Sequence, residues 1–243
     1  MSAAEMMGRI AEASPRFKAR MAGFFYLLMF PVGGLAVFAR RGLVVTGNAA
    51  ATATNILAHE PLFRLGFAGD LLVVACYVAV TALFYDLFKP VNRSVSLLAA
   101  FFSLVGCAIL GFACLFELAP LVVLGGAQYL SVFKVEQLQA LAYMFLKLYS
   151  QAYSIALVFF GFYCLLIGYL IFKLTFLPRI LGVLMALAGL GWLTFLSPPL
   201  GAKYLYPYIL AADIGEGLLI LWLLVVGVNA QRWKEQASLR ITF

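Results

Sequence analysis

Six apolar runs dominate the sequence, at residues 21–39, 62–88, 95–124, 138–172, 179–197 and 205–229. At ~1.5 Å of rise per residue, each is long enough as a helix to cross the ~30 Å hydrocarbon core of a bilayer. In that core the backbone finds no water, so only helices and closed barrels can span it. The ~10-residue alternating strands of a barrel are not in the sequence. The chain is 65% hydrophobic and 11% charged, where a soluble domain carries about a quarter charged residues. The expectation is one all-α, polytopic integral membrane bundle of six helices over 21–230. An interfacial N-terminal segment, 1–20, precedes it and a tail, 231–243, follows.

Local signals punctuate these runs. Ser14-Pro15 reads as an N-cap followed by a first-turn proline, which would start the first helix before its apolar run. Pro31, Gly33 and Gly34 predict a kink in it, and FARRG at its end lacks a small-residue cleavage site, so this helix is expected to be retained. Asn48 can cap a short helix over 48–58 with an apolar side at Ile56 and Leu57, lying on the outer end of the bundle. Gly125-Gly126 stops the third helix, and KVEQLQ opens the fourth. The fourth, from Val135 to Phe172, would be about 57 Å long if straight, more than the bilayer core. Its polar stretch 147–154 is therefore expected to project above the lipid or to mark a break. Small residues at packing spacings, such as Gly182 with Ala186, predict close helix approach.

Lysine and arginine set the orientation. With the N-terminus inside, eleven basic residues lie on the inner side: Arg9, Arg16, Lys18, Arg20, Lys89, Arg93, Lys173, Arg179, Arg232, Lys234 and Arg240. Five lie outside: Arg40, Arg41, Arg64, Lys134 and Lys203. Both termini are expected in the cytoplasm, with Arg40-Arg41 as the discordant pair. The net charge of +7 is thus a topological signal; the basic residues form no aromatic-interleaved patch and nucleic acid is not an expected partner.

Charges inside spanning segments are costly and usually face an interior, a partner or water. Counting from the inner helix ends at ~1.5 Å per residue puts Asp70 roughly 28 Å up, Glu117 roughly 36, Lys147 roughly 39, Asp213 roughly 28 and Glu216 roughly 24. All five therefore fall toward the outer end. Asp213 and Glu216 share a helix face at i,i+3, beside Gly215 and Gly217. Those glycines read either as room for a ligand or as a close helix crossing. Lys147 is the only base within a run and is expected to pair with Glu117 or Asp213. Tyr149, with Gln151 nearby, can line the same zone. The group forms either a set of ion pairs locking helix ends or an outward-facing polar cavity. Asp86 beside Lys89 reads as interfacial charge, and His59 as a surface-loop residue.

Recognised catalytic chemistry is absent. The sequence has no HExxH, GxSxG, Walker loop or dinucleotide fingerprint. One histidine cannot supply the usual zinc ligand set, and Cys76, Cys107, Cys114 and Cys164 form no CxxC and lie in apolar runs. No metal site, cofactor or disulfide framework is expected.

Several stretches carry a resemblance: AAATATNILA (49–58), LFRLGFAGDLL (62–72), KPVNRSVSLLAAFF (89–102), EQLQALAYMFL (136–146), FLPRILGVLMALAGLG (176–191) and GEGLLILWLLVVGVN (215–229). On these the chain resembles the bacterial membrane proteins of domain-of-unknown-function family 4386, from about Arg20 to Trp233. The resemblance implies a six-helix protein of the bacterial cytoplasmic membrane and brings no activity. It also implies an acid where this chain has Lys147, and histidines where it has Tyr149 and Tyr163. A metal or proton role resting on those histidines does not carry over.

Three functions stay open. In the first, the protein binds, senses or passes a small amphipathic or cationic molecule at the polar cavity, since acids outnumber the base there. In the second, it is a membrane enzyme acting on a lipid or isoprenoid with Asp213 or Glu216 as acid or base. In the third, it is a structural subunit or assembly factor whose polar groups meet a membrane-protein partner. Membrane lipids surround it in every case.

Overall fold

The computed structural model describes residues 14–197 and 206–238, with side chains over 14–197 and 214–238. The helices are α1 (Pro15–Arg40), α2 (Ala49–Ala58), α3 (Glu60–Phe88), α4 (Arg93–Leu124), α5 (Val135–Lys173), α6 (Arg179–Leu193), α7 (Tyr206–Val225) and α8 (Ala230–Ser238). Short 3-10 turns follow α4 and α6, and the described residues contain no strand. Among the described residues, five helices are long and apolar enough to cross a membrane, or six if the bent pair α7–α8 is one span. The fold is all-α, and the protein is a multi-pass membrane protein. Large apolar side chains point outward along the spans: Phe38, Phe101, Leu115, Ile180 and Val225 are all more than half exposed. Such a surface suits lipid, not water.

The local signals act as their chemistry requires. Ser14 Oγ accepts the Phe17 N–H at 3.3 Å, and α1 starts at Pro15, inside the segment assigned to the N-terminal end. Asn48 Oδ1 accepts the Ala51 N–H at 2.9 Å and caps α2. Of α2's two expected apolar contacts, Ile56 is buried and Leu57 is exposed. α4 ends at Leu124, and Gly126 turns the chain at φ +71°, a backbone region open to glycine. At the start of α5 the Gln137 side chain accepts the Lys134 N–H at 2.9 Å. α5 runs unbroken for 39 residues, so KLYSQAYS is helical and no break occurs there. α1 is likewise helical through Pro31. His59 is an exposed residue at the end of α2, and residues 231–238 of the expected tail lie in α8, which begins at Ala230.

The chain divides into two compact units. Unit 1 comprises Met1–Leu27, Cys76–Gly106 and Leu157–Phe243; unit 2 comprises Leu28–Ala75 and Cys107–Ala156. Unit 1 buries Tyr26, Phe84, Phe88 and Tyr163. Its α5 and α6 meet backbone to backbone. A Cβ on Gly168 would fall 2.7 Å from the Gly182 oxygen, and one on Gly182 would fall 2.7 Å from the Gly168 oxygen. Gly161 and Gly189 oppose each other in the same way, at 3.0 and 2.7 Å. Lipid gives helices no hydrophobic drive to associate, so this close approach, with its dispersion contacts, is what holds them. Unit 2 has an apolar core of Leu43, Ile56, Phe63, Leu121 and Leu146, with Leu118 against it.

Candidate functional site

In unit 2, glycines shape the polar centre. A Cβ on Gly69 would fall 3.0 Å from Ala36 Cβ, so α3 lies tight on α1. One turn earlier, a Cβ on Gly66 would fall 3.2 Å from Arg40 Cγ. The absent side chain at Gly66 is the space through which the Arg40 stem passes. Arg40 is the last residue of α1, and its guanidinium reaches both acids of the neighbouring helices. Its Nη1 donates to Asp70 Oδ2 at 2.7 Å and to Glu117 Oε1 at 2.5 Å. The Tyr149 hydroxyl donates to Asp70 Oδ2 at 2.5 Å, and the guanidinium lies over the Tyr149 ring, 5.4 Å from its centroid. A cation above an aromatic face gains from the ring quadrupole, more so when desolvated.

The charges do not balance. Two carboxylates face one guanidinium. Side-chain exposure is 14% for Arg40 and 15% for Asp70 but 0% for Glu117. The second Glu117 oxygen, Oε2, is buried with no hydrogen-bond partner among the described residues.

A second carboxylate lies in unit 1. Glu216 Oε1 accepts the Trp192 indole N–H at 2.6 Å and the Cys164 thiol at 3.6 Å, while Oε2 accepts the Tyr26 hydroxyl. Around it stand the rings of Tyr26, Tyr77, Tyr163 and Phe160, with the Tyr77–Phe160 centroids 4.2 Å apart. Gly215 is a close helix crossing, its Cβ position 2.7 Å from the Leu184 oxygen, whereas Gly217 has nothing within 4 Å. Phenol, indole and thiol all donate to this one carboxylate, and removal of such a donor has a known scale. Tyr26→Phe is expected to lower stability by about 1–3 kcal/mol, the cost of a buried acceptor losing its donor. Thermal unfolding in mild detergent measures it, and an unchanged midpoint would deny the hydrogen bond any weight.

The expected site residues therefore separate. Asp70, Glu117 and Tyr149 come together in unit 2, while Glu216 belongs to unit 1. The Asp213 side chain lies outside the described residues, and so does any pairing of it with Lys147. Lys147 is not the partner of Glu117: Arg40 is. Lys147 is exposed, with its ammonium 5.3 Å from the Tyr143 ring centroid, and Gln151 is exposed as well. The sequence did hold a signal for Arg40, as one of the discordant pair Arg40-Arg41 in the expected count of lysine and arginine. Asp86, read as interfacial charge, pairs with Lys89 and also with Lys18, which is buried. The four cysteines are buried thiols, and no described group of three or more His, Cys, Asp or Glu could hold a metal ion.

Comparison with known proteins adds lineage. The model of one family, Domain of unknown function (DUF4386), matches residues 21–227. An uncharacterized protein of Archaeoglobus fulgidus is 27% identical over 160 residues, which is 65% of this chain and 82% of that protein. No solved structure matches.

Proposed function

The chain belongs to the DUF4386 family, a domain of unknown function, and from that premise we propose that it binds a small amphipathic cation at the Arg40–Asp70–Glu117 centre. The observation that carries this reading is the buried, unmatched Oε2 of Glu117, one of the two acids that share one base. Leaving a buried carboxylate oxygen without a partner is costly. A ligand with one positive charge supplies both the missing charge and the missing donor. The surroundings suit an amine with an apolar body. The Tyr149 ring already accepts a cation on its face. Leu121, one turn from Glu117 on α4, leads into the apolar core of the same unit. Arg40 and Asp70 are the partly open edge and Glu117 the sealed end, so the ligand enters by moving Arg40. The excess of lysine and arginine on the side of both termini supports the bacterial cytoplasmic membrane, termini inside, with this centre toward the outside.

A series of primary amines from methylamine to hexylamine tests the reading on purified protein. Saturable stabilisation is expected, growing with chain length and reaching about 2.7 kcal/mol at a hundredfold excess over Kd. Glu117→Gln should abolish it. Glu60→Gln, in the exposed pair with Arg64, should not. If no amine shifts the midpoint, or if Glu117→Gln responds as the parent does, the reading fails.

A further inference from the structure

At one end of unit 1, α7 and α8 form a corner with a cavity. The Val226 and Gly227 N–H groups both donate to the Trp222 oxygen, at 2.9 Å each, and Gly227 adopts φ +73°. This C-cap ends α7, and α8 departs at 100°. Arg16, from the first turn of α1, lies across the corner: a Cβ on Gly227 would fall 3.2 Å from Arg16 Cγ. Together these elements line a cavity of about 430 Å³. Among the described residues, Arg16 is its one charged lining residue, and no acid lines it. Phe176, Trp222 and Val226 form an apolar wall, with Val226 46% exposed.

The polar wall is short of acceptors. Asn229 Oδ1 takes the Arg232 N–H at 3.1 Å, and the Asn229 carbonyl takes the Trp233 N–H at 3.0 Å. The N–H groups of Ala230 and Gln231, whose residues both line the cavity, have no acceptor among the described residues. A guanidinium presents several donors in a fork that matches a phosphate. Amides at a helix start add to the same preference. An apolar wall beside them, where a spanning helix ends, fits the glycerol and first methylenes of a lipid. Basic pockets at such helix ends take anionic headgroups.

We propose that this cavity seats the phosphate headgroup of an anionic phospholipid, with Arg16 as its charge partner and the Trp222–Val226 wall against the start of an acyl chain. The inference is independent of the cation centre, which lies in unit 2.

Native mass spectrometry of the full chain in mild detergent, with equal amounts of phosphatidylglycerol and phosphatidylcholine, provides the test. The parent should retain one phosphatidylglycerol in preference. Arg16→Gln should cut that preference about tenfold, the equivalent of one charge-assisted bond. Ala230→Glu should cut it too by placing an acid in the cavity, and an acid in the first turn, four residues before Lys234, favours the helix, so lost folding would not explain the loss. Arg20→Gln, exposed on α1 and outside the cavity, should leave the preference unchanged. Equal retention of both lipids by the parent overturns the proposal, as does an undiminished preference in Arg16→Gln. If inorganic phosphate displaces phosphatidylglycerol at equal concentration, the lipid assignment is overturned in favour of a soluble phosphate.

Discussion

Arg40→Ala is expected to lower stability by about 3–5 kcal/mol, the scale for stripping one partner from a buried ion pair. The Arg40 side chain is 14% exposed and bridges two carboxylates, so its removal takes the guanidinium from Asp70, which keeps the Tyr149 hydroxyl, and strips Glu117 Oε1 of its donor. Arg64→Ala provides the contrast. Its pair with Glu60 is i,i+4 on α3 with both side chains well exposed, at 56% and 42%. Water and salt screen such a pair, and its loss should cost under about 1 kcal/mol. Adding Glu117→Gln to Arg40→Ala should recover part of the deficit, because it removes the charge that was stranded. The midpoint of thermal unfolding in mild detergent reads all three. An Arg40→Ala loss no larger than that of Arg64→Ala would mean the centre is solvated and not a buried charge cluster.

Gly168→Val should be as damaging by a different mechanism. The Cβ position at Gly168 is 2.7 Å from the Gly182 oxygen and 2.8 Å from the Ala186 nitrogen. Both are backbone atoms, which cannot rotate aside as a side chain would. Even alanine there should cost about 1–3 kcal/mol or more, the overpacking scale, and the two further methyls of valine should prevent α5 and α6 from closing. Gly111→Ala is the control: nothing lies within 4 Å of its Cβ position. It should be neutral or gain up to about 1 kcal/mol from helix propensity. Resistance to limited proteolysis separates the two outcomes. A Gly168→Val protein as resistant as Gly111→Ala would show that the two helices do not meet at these glycines.

The glycine contacts also show what a single sequence leaves hidden. Gly161 and Gly168 are seven apart on α5, and Gly182 and Gly189 are seven apart on α6. The structure opposes 168 to 182 and 161 to 189, an antiparallel register. Gly182 was visible as a packing residue, but opposition is a property of two helices and cannot be read along one. Capping was legible because its donors and acceptors lie within three residues, as at Ser14, Asn48 and Gly126. The polar groups were the hardest to group. Counting rise from helix ends gives a depth and not a neighbour, so it listed Glu216 with Asp70 and Glu117 without saying what each of them touches. The structure groups Glu216 with Tyr26, Cys164 and Trp192, three residues scattered over three helices with no shared motif. Lys147 attracted attention as the only base inside a run, yet an exposed lysine over Tyr143 is content at the surface. Arg40, the last residue of α1, could bend inward because Gly66 leaves its stem a path.

That inward arginine leaves one carboxylate oxygen unmatched, and the account rests on what meets it. Native mass spectrometry of the gently extracted protein, before any ligand is added, asks the question most directly. The parent is predicted to carry one small singly charged organic cation per chain, absent from Glu117→Gln prepared in the same way. Identical spectra for the two proteins, with no such adduct in either or the same adduct in both, would contradict it.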